Sequence, residues 1–328
     1  MSVINRIREK QGQPQPTVSQ ESLEDFIKDG YENYIHAWRG LQAIWQWARG
    51  DRHKKIQDLI SAVENADITP NGTIESKALE KLLVNGKVPS SVGEIAVAVA
   101  STTKLVDDVW KGYLTSILGI VKASPNILAG NGAWDFDKII SELEKQQDTL
   151  DLPHYAKLCN GPKADGQPGT PLLVGNYQLL YYTKNRTESV HAKNLDIRSR
   201  VEIKFSKAKG FATTKKIKDP SKQELLLLLK NTLILLEHIG HDSPLRQLVV
   251  DSVPLGYAVF RKGFLNNMSP VVAGYRKVVY SKANYDKINI IADFFRNLQI
   301  APAETANSAR AMADDLSKAV IHLVEDAL

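Results

Sequence analysis

The fold class is decided by residues 219–240, which read Asp219-Pro-Ser-Lys-Gln-Glu-Leu-Leu-Leu-Leu-Leu-Lys-Asn-Thr-Leu-Ile-Leu-Leu-Glu-His-Ile-Gly240. The beginning of this stretch predicts a helix, because Pro220 suits a first helical position and Ser221-x-x-Glu224 matches the capping-box pattern. We expect this helix to run to Ile239 and to end at the closing glycine, since glycine terminates helices readily.

Helical periodicity extends over most of the chain on both sides of that stretch. We predict a mainly α fold with a small β-containing insert, an α+β arrangement. The chain is divided into a flexible arm over residues 1–20, an N-terminal helical region over residues 21–150, a Gly/Pro-rich loop with a basic β insert over residues 151–218, and a C-terminal helical region over residues 219–328.

Turn and capping signals give the boundaries of individual helices. We predict a short helix over residues 76–84, stopped by Asn85-Gly86, and a helix or helix pair over residues 91–122, ended by Ala123-Ser-Pro125. A further helix over residues 134–149 has Asp135 as its N-cap. The C-terminal region is expected to break at three places, near Pro254-Leu-Gly256, Met268-Ser-Pro270 and Ala301-Pro302.

The middle of the chain has the content of β-strands. Residues 172–183 and 199–205 are rich in aromatic and β-branched side chains, and Val201, Ile203 and Phe205 alternate with charged residues. We therefore predict strands whose exposed faces are basic, with most of the nearby aromatic side chains in the core.

Composition excludes several classes of protein. The 328 residues are 43% hydrophobic and 24% charged, which is ordinary for a globular protein and excludes a wholly disordered chain. The single cysteine, Cys159, excludes an internal disulfide framework and a multi-cysteine zinc site. The first 20 residues lack the apolar centre of a signal peptide, and no apolar run reaches the roughly 18–20 residues of a membrane span. We expect a soluble protein of a reducing compartment, without contact with a membrane.

Positive charge is concentrated in one segment. Residues 184–218 contain 11 basic and three acidic residues, so this basic segment carries a formal charge of +8. The net charge of the whole chain is +5, so the remaining residues together carry −3. Such a concentration attracts polyanions. We predict that nine of its residues bind nucleic acid without sequence preference: Lys193, Arg198, Arg200, Lys204, Lys207, Lys209, Lys215, Lys216 and Lys218. Two alternatives stay open: the segment contacts a partner protein, or it is a solvated hairpin whose lysines block strand pairing at an edge.

A magnesium-dependent nuclease is the alternative function. Nucleases of the restriction-enzyme type combine an acidic residue with Glu-x-Lys on a strand, where the carboxylates bind Mg²⁺ and the lysine polarises the phosphate. Asp196, Glu202 and Lys204 follow this pattern, although Glu188 could equally serve as the first acid.

Other candidate sites have simpler interpretations. Residues 67–78 follow part of a calcium-loop pattern, but Ala78 stands where a bidentate glutamate is needed, so an interhelical turn is favoured. The histidines and aspartate of residues 238–242 could ligate a metal, yet a helix C-terminus attracts histidine for its dipole. Cys159 shows no feature that would lower its pKa. We predict no metal, no cofactor and no enzymatic activity.

The order of several motifs carries a resemblance. Asn85-Gly-Lys-Val-Pro89 precedes a helix that contains Thr102-Thr-Lys104 and Trp110-x-x-Tyr113, and Pro171-Leu-Leu-Val-Gly-Asn176 introduces a strand. This order is similar to that of internal head and other virion structural proteins of large tailed bacteriophages. The resemblance implies a non-enzymatic protein that is assembled in the host cytoplasm, packaged in many copies with the genome and in contact with other virion proteins; a homo-oligomer is compatible with it.

Overall fold

The computed structural model describes residues 50–129, 135–148, 169–182, 202–207, 216–240 and 282–328, together with Leu158 and Gly161. Most of these residues are helical, and short antiparallel strand pairs make up the rest of the regular structure. The predicted fold class, mainly α with a small β-containing part, is confirmed. No helix in the described ranges is long and apolar enough to cross a membrane.

The helices are named in chain order. α1 is described from residue 50 to residue 65, and the later α-helices are α2 (Val92–Ala129), α3 (Phe136–Asp148), α4 (Lys222–Gly240) and α5 (Lys282–Ala327). A 3-10 helix, Lys77–Lys81, lies between α1 and α2, and a 3-10 turn, Val174–Asn176, precedes the second strand.

Within the described residues, the strands form two antiparallel pairs. β1 (Thr73–Glu75) pairs with β4 (Lys216–Lys218), and β2 (Tyr177–Tyr182) pairs with β3 (Glu202–Lys207). The first pair joins the N-terminal helical region to the end of the basic segment, because β1 and β4 come from opposite sides of α2 and α3 in the chain.

α2 and α4 lie side by side and run in the same direction. At their N-terminal ends the backbone N–H of Gly93 donates to the Glu224 carboxylate (3.2 Å). Fourteen residues farther along each helix, His238 Nδ1 lies 3.2 Å from Asp107 Oδ1. The two helices therefore stay in register over about 21 Å, at 1.5 Å per residue.

α1 runs antiparallel to α4. His53 near the described start of α1 contacts Glu237 near the end of α4 (3.2 Å), whereas Lys222 at the start of α4 donates to the carbonyl of Glu64 (2.6 Å) and to that of Ala66 (3.1 Å). The lysine ammonium thus supplies donors to carbonyl groups that the end of α1 leaves without an intrahelical partner.

One hydrophobic core connects the five α-helices and the 3-10 helix with β2 and β4. It extends from Ile56 in α1 through Leu229 in α4 to Val324 in α5, and it includes Leu179 of β2 and Ile217 of β4. The core therefore includes residues from the predicted N-terminal, insert and C-terminal regions.

Two predicted helix breaks are wrong. α2 continues through Pro125 to Ala129, and α5 continues through Pro302. Proline removes one backbone hydrogen bond from a helix interior, but Leu128 and Ala306 just beyond each proline are buried in the core. Burial of these residues stabilises the helix beyond the missing bond. The breaks expected near Pro254 and Met268 lie outside the described residues.

Other local predictions are confirmed or refined. Asp135 caps α3, because its Oδ1 accepts the N–H of Asp137 (3.1 Å) and of Lys138 (3.2 Å). The helix predicted over residues 76–84 is the shorter 3-10 helix, and Asn85 and Gly86 after it both have positive φ, as a type I′ turn requires.

Candidate nucleic-acid interface

Four of the nine predicted nucleic-acid-binding residues belong to described strands. Lys204 and Lys207 are on β3, and Lys216 and Lys218 are on β4. The other five lie outside the described residues: Lys193, Arg198, Arg200, Lys209 and Lys215.

β4 presents two lysines to solvent. Lys216 and Lys218 are exposed, whereas Ile217 between them is 3% exposed and belongs to the core. Alternation of side chains along a strand places the two ammonium groups on one side. Opposite them on β1 are Glu75 and Thr73, respectively.

The residues directly after β4 fix it to the N-terminal region. The backbone N–H of Asp219 donates to the carbonyl of Gly72 (3.1 Å), and its Oδ2 accepts the N–H of Asn71 (2.8 Å). Asn71 and Gly72 belong to the stretch that resembled part of a calcium loop. In the structure this stretch connects α1 to the 3-10 helix, as an interhelical connection does, but it contains β1, a strand that the interhelical-turn interpretation did not predict.

Glu224 then closes the N-terminus of α4. Its carboxylate accepts the backbone N–H of Ser221 (2.9 Å), and the Ser221 hydroxyl accepts the N–H of Glu224 (3.3 Å), so the predicted capping box is confirmed. Pro220 precedes the N-cap instead of occupying the first helical position. The hydrogen bond from the Ser221 backbone, together with those from the Ser221 side chain and Gly93 and the charge of Lys218, lowers the pKa of Glu224.

Lys207 at the end of β3 is fixed to α5. Its ammonium nitrogen lies 2.5 Å from Asp315 Oδ2 and 5.2 Å from the centre of the Tyr177 ring, and the Tyr177 hydroxyl donates to the same carboxylate oxygen (3.1 Å). Burial of the Asp315 carboxyl opposes its ionisation, but the hydrogen bond and charge of Lys207, with the Tyr177 hydrogen bond, lower its pKa. Burial raises the pKa of Tyr177, and the Asp315 charge adds to the effect.

The aromatic side chain of Tyr177 is 8% exposed and belongs to the core, as expected for most of the aromatics near the basic segment. Asp315 was not predicted as its partner. It lies 138 residues farther along the chain in a helix with several other acids, so no local signal distinguishes it.

The nuclease candidates are only partly described. Glu202 and Lys204 occupy alternate positions of β3, opposite Tyr182 and Leu180 on β2. Asp196, the third member of the set, lies outside the described residues. Within the described ranges, no group of three or more His, Cys, Asp and Glu residues is arranged to hold a metal ion.

His238 lies in the last turn of α4, as the helix-dipole interpretation requires. Its Asp107 contact borders a pocket where α2, α4 and α5 meet, with Thr305 and Ala309 in the wall. His241, Asp242 and Cys159 are outside the described residues.

No protein-family model matches this chain, and neither the curated proteins nor the solved structures include a significantly similar one. The described residues form a mainly α-helical protein with two short strand pairs, and β4 of one pair exposes Lys216 and Lys218.

Proposed function

We propose that the protein is a non-enzymatic binding protein whose basic segment contacts nucleic acid without sequence preference. One observation carries this proposal: Lys216 and Lys218 both face solvent from a strand that is hydrogen-bonded to β1 and packed on the core through Ile217. Lysines attached to an ordered strand neutralise backbone phosphates and release the counterions that surround nucleic acid.

The anchoring of the basic segment supports the same proposal. Lys207 is tied to α5 through Asp315, and β4 is tied to β1 and to Asn71 and Gly72. A segment that is already ordered at these positions loses less conformational entropy when it binds a partner.

The binding test uses a labelled 30-base-pair duplex of arbitrary sequence and a series of salt concentrations. Replacing Lys215, Lys216 and Lys218 by alanine should reduce the slope of log affinity against log salt by about 2–3, since each phosphate contact contributes about 0.9. The matched control replaces Lys104, Lys122 and Lys230, which are exposed on α2 and α4, by alanine. Absence of wild-type binding at low salt, or an equal loss in the control, would contradict the proposal.

We further propose that the protein is a structural component of the virion of a large tailed bacteriophage, located inside the head with the genome and in contact with other virion proteins. The support is the order of motifs from Asn85 to Asn176. Mass spectrometry of purified, nuclease-treated virions should detect the protein in intact particles. Its absence from mature particles of a phage that expresses it would reject this location.

A magnesium-dependent nuclease is the second candidate, and the spacing of Glu202 and Lys204 on β3 favours it. Incubation of supercoiled plasmid with the protein and Mg²⁺ or Mn²⁺ distinguishes the two functions. Cleavage that is lost in Glu202→Ala would establish the nuclease. No cleavage, or cleavage that Glu202→Ala leaves unchanged, would reject it.

A further inference from the structure

The basic segment is anchored along α5 at two separate places. Lys207 of β3 is paired with Asp315. β4 is paired with β1, and the residue after β1, Ser76, donates its hydroxyl hydrogen to Asp326 (2.6 Å). Asp315 and Asp326 are eleven residues apart on one helix, which corresponds to about 16 Å along its axis.

The 3-10 helix Lys77–Lys81 occupies the space between these two anchors. It begins directly after Ser76 and buries Ala78 and Leu79 in the core. Beyond its other end, the carbonyl of Leu83 accepts the backbone N–H of Gly175 (2.8 Å), two residues before Tyr177. The 3-10 helix therefore leads from the Asp326 end of α5 toward the Tyr177–Asp315–Lys207 cluster.

Exposed lysines follow this path. Lys77 and Lys81 are exposed on the 3-10 helix, and Lys207, Lys216 and Lys218 are exposed at its two ends. Glu75, Glu80, Asp315 and Asp326 lie among these five lysines, so these nine charged residues sum to +1.

Two of these lysines, Lys207 and Lys81, act on the carboxyl group of Asp315. Burial opposes ionisation of its carboxyl, but the hydrogen bond and charge of Lys207 and the charge of Lys81 lower its pKa. Lys81 of the N-terminal region and Lys207 of the basic segment thus lie within electrostatic reach of one carboxylate.

We propose that Lys77 and Lys81 join Lys207, Lys216 and Lys218 in one continuous track for the phosphodiester backbone of nucleic acid; this inference rests on the proposed nucleic-acid-binding function. Each cation along such a path can neutralise a backbone phosphate and release the counterions around it. The track extends the interface beyond the basic segment, onto a part of the chain that carries no excess of positive charge in the sequence.

The test compares two double variants of the full chain that remove the same charge. Lys77→Ala with Lys81→Ala changes the track, and Lys104→Ala with Lys122→Ala changes exposed positions of α2. In the salt titration with the 30-base-pair duplex, the track variant should lose about 1.8 from the slope, and the α2 variant should retain the wild-type slope. Thermal unfolding of both variants checks that the fold is retained.

Lysine acetylation by an amine-reactive reagent, read by mass spectrometry with and without duplex, provides an independent measurement. Lys77 and Lys81 should be protected by the duplex together with Lys216 and Lys218, while Lys104 stays reactive. If the wild-type protein binds and Lys77 and Lys81 show neither protection nor an effect on the slope, the track is wrong and the proposed function stands. If the wild-type protein does not bind duplex at low salt, the nucleic-acid function itself is rejected.

Discussion

The carboxylate of Glu224 accepts a hydrogen bond from the backbone N–H of Gly93, 131 positions earlier in the chain, at 3.2 Å. The same carboxylate caps its own helix through Ser221. One side chain therefore supplies an acceptor to the N-terminal turns of two parallel helices, where backbone donors lack intrahelical partners and the helix dipoles favour negative charge.

Glu224→Ala should lower the free energy of unfolding by about 2 kcal/mol, because it removes a cap and a charged hydrogen-bond acceptor from a half-buried position. Glu224→Gln should cost less, since the amide retains one acceptor oxygen. Urea denaturation measures both changes. Gln223→Ala, at the exposed neighbouring position, is the control and should stay within about 0.5 kcal/mol of the wild type. An equal effect of Glu224→Ala and Gln223→Ala would show that the shared cap contributes nothing.

The stabilisation from Glu224 should depend on pH. Its pKa is lowered in the folded protein, so the unfolded chain binds the proton more readily. The contribution is complete above the unfolded pKa of about 4.3 and is lost as the pH falls through the folded pKa. Urea midpoints between pH 7 and pH 3 should therefore fall more steeply below about pH 5 for the wild type than for Glu224→Gln. Parallel curves for the two proteins would contradict this assignment.

The Lys207–Asp315 pair should show a measurable coupling energy. A double-mutant cycle with Lys207→Met and Asp315→Asn should give about 0.5–1 kcal/mol, reduced by salt because both side chains are partly exposed. The comparison pair is Lys145–Glu142 on α3, at 2.8 Å and with the lysine 65% exposed. Its coupling should be smaller, because both of its side chains are more exposed to solvent than Lys207 and Asp315. If the coupling energy of Lys207–Asp315 is no larger than that of the comparison pair, the ion pair does not anchor β3 to α5.

Two glycine substitutions should have opposite effects. Gly175 has a φ of +72°, and a Cβ there would lie 2.8 Å from Leu316 Cδ2 and 2.9 Å from the carbonyl oxygen of Lys81. Gly175→Ala should destabilise the protein by about 2 kcal/mol or more, since both the backbone conformation and the contacts oppose it. Gly119, exposed in α2 with no atom near its Cβ position, is the control. Gly119→Ala should stabilise by about 0.5–1 kcal/mol, and chemical denaturation of both variants checks the two signs.

The features predicted correctly from sequence are those whose partners are close in the chain. Ser221 and Glu224 are three residues apart, and Asp135 caps the residues that follow it, so each pattern is visible within one turn. Asn85-Gly86 likewise specifies its own turn by the conformations that these residue types tolerate.

The features that sequence did not reveal depend on partners that are distant in the chain. Nothing near Glu224 indicates Gly93, and nothing near Lys207 indicates Asp315. Pro125 and Pro302 gave wrong helix ends because local propensity was overridden by burial of the following turns. For the candidate interface, charge alone selected Lys216 and Lys218 as candidates, but nothing in the sequence indicated that their strand, β4, pairs with β1.

The late position of α5 in the chain has a consequence for folding during synthesis. α5 supplies Phe294, Met312 and Leu316 to the core and the carboxylates that anchor β3 and Ser76. A nascent chain that ends before residue 282 lacks all the core residues that α5 contributes. The apolar side chains of α1, α2 and α4 that pack against α5 would then be exposed when these helices leave the ribosome. We expect ribosome-bound intermediates of this protein to require a chaperone until α5 has emerged.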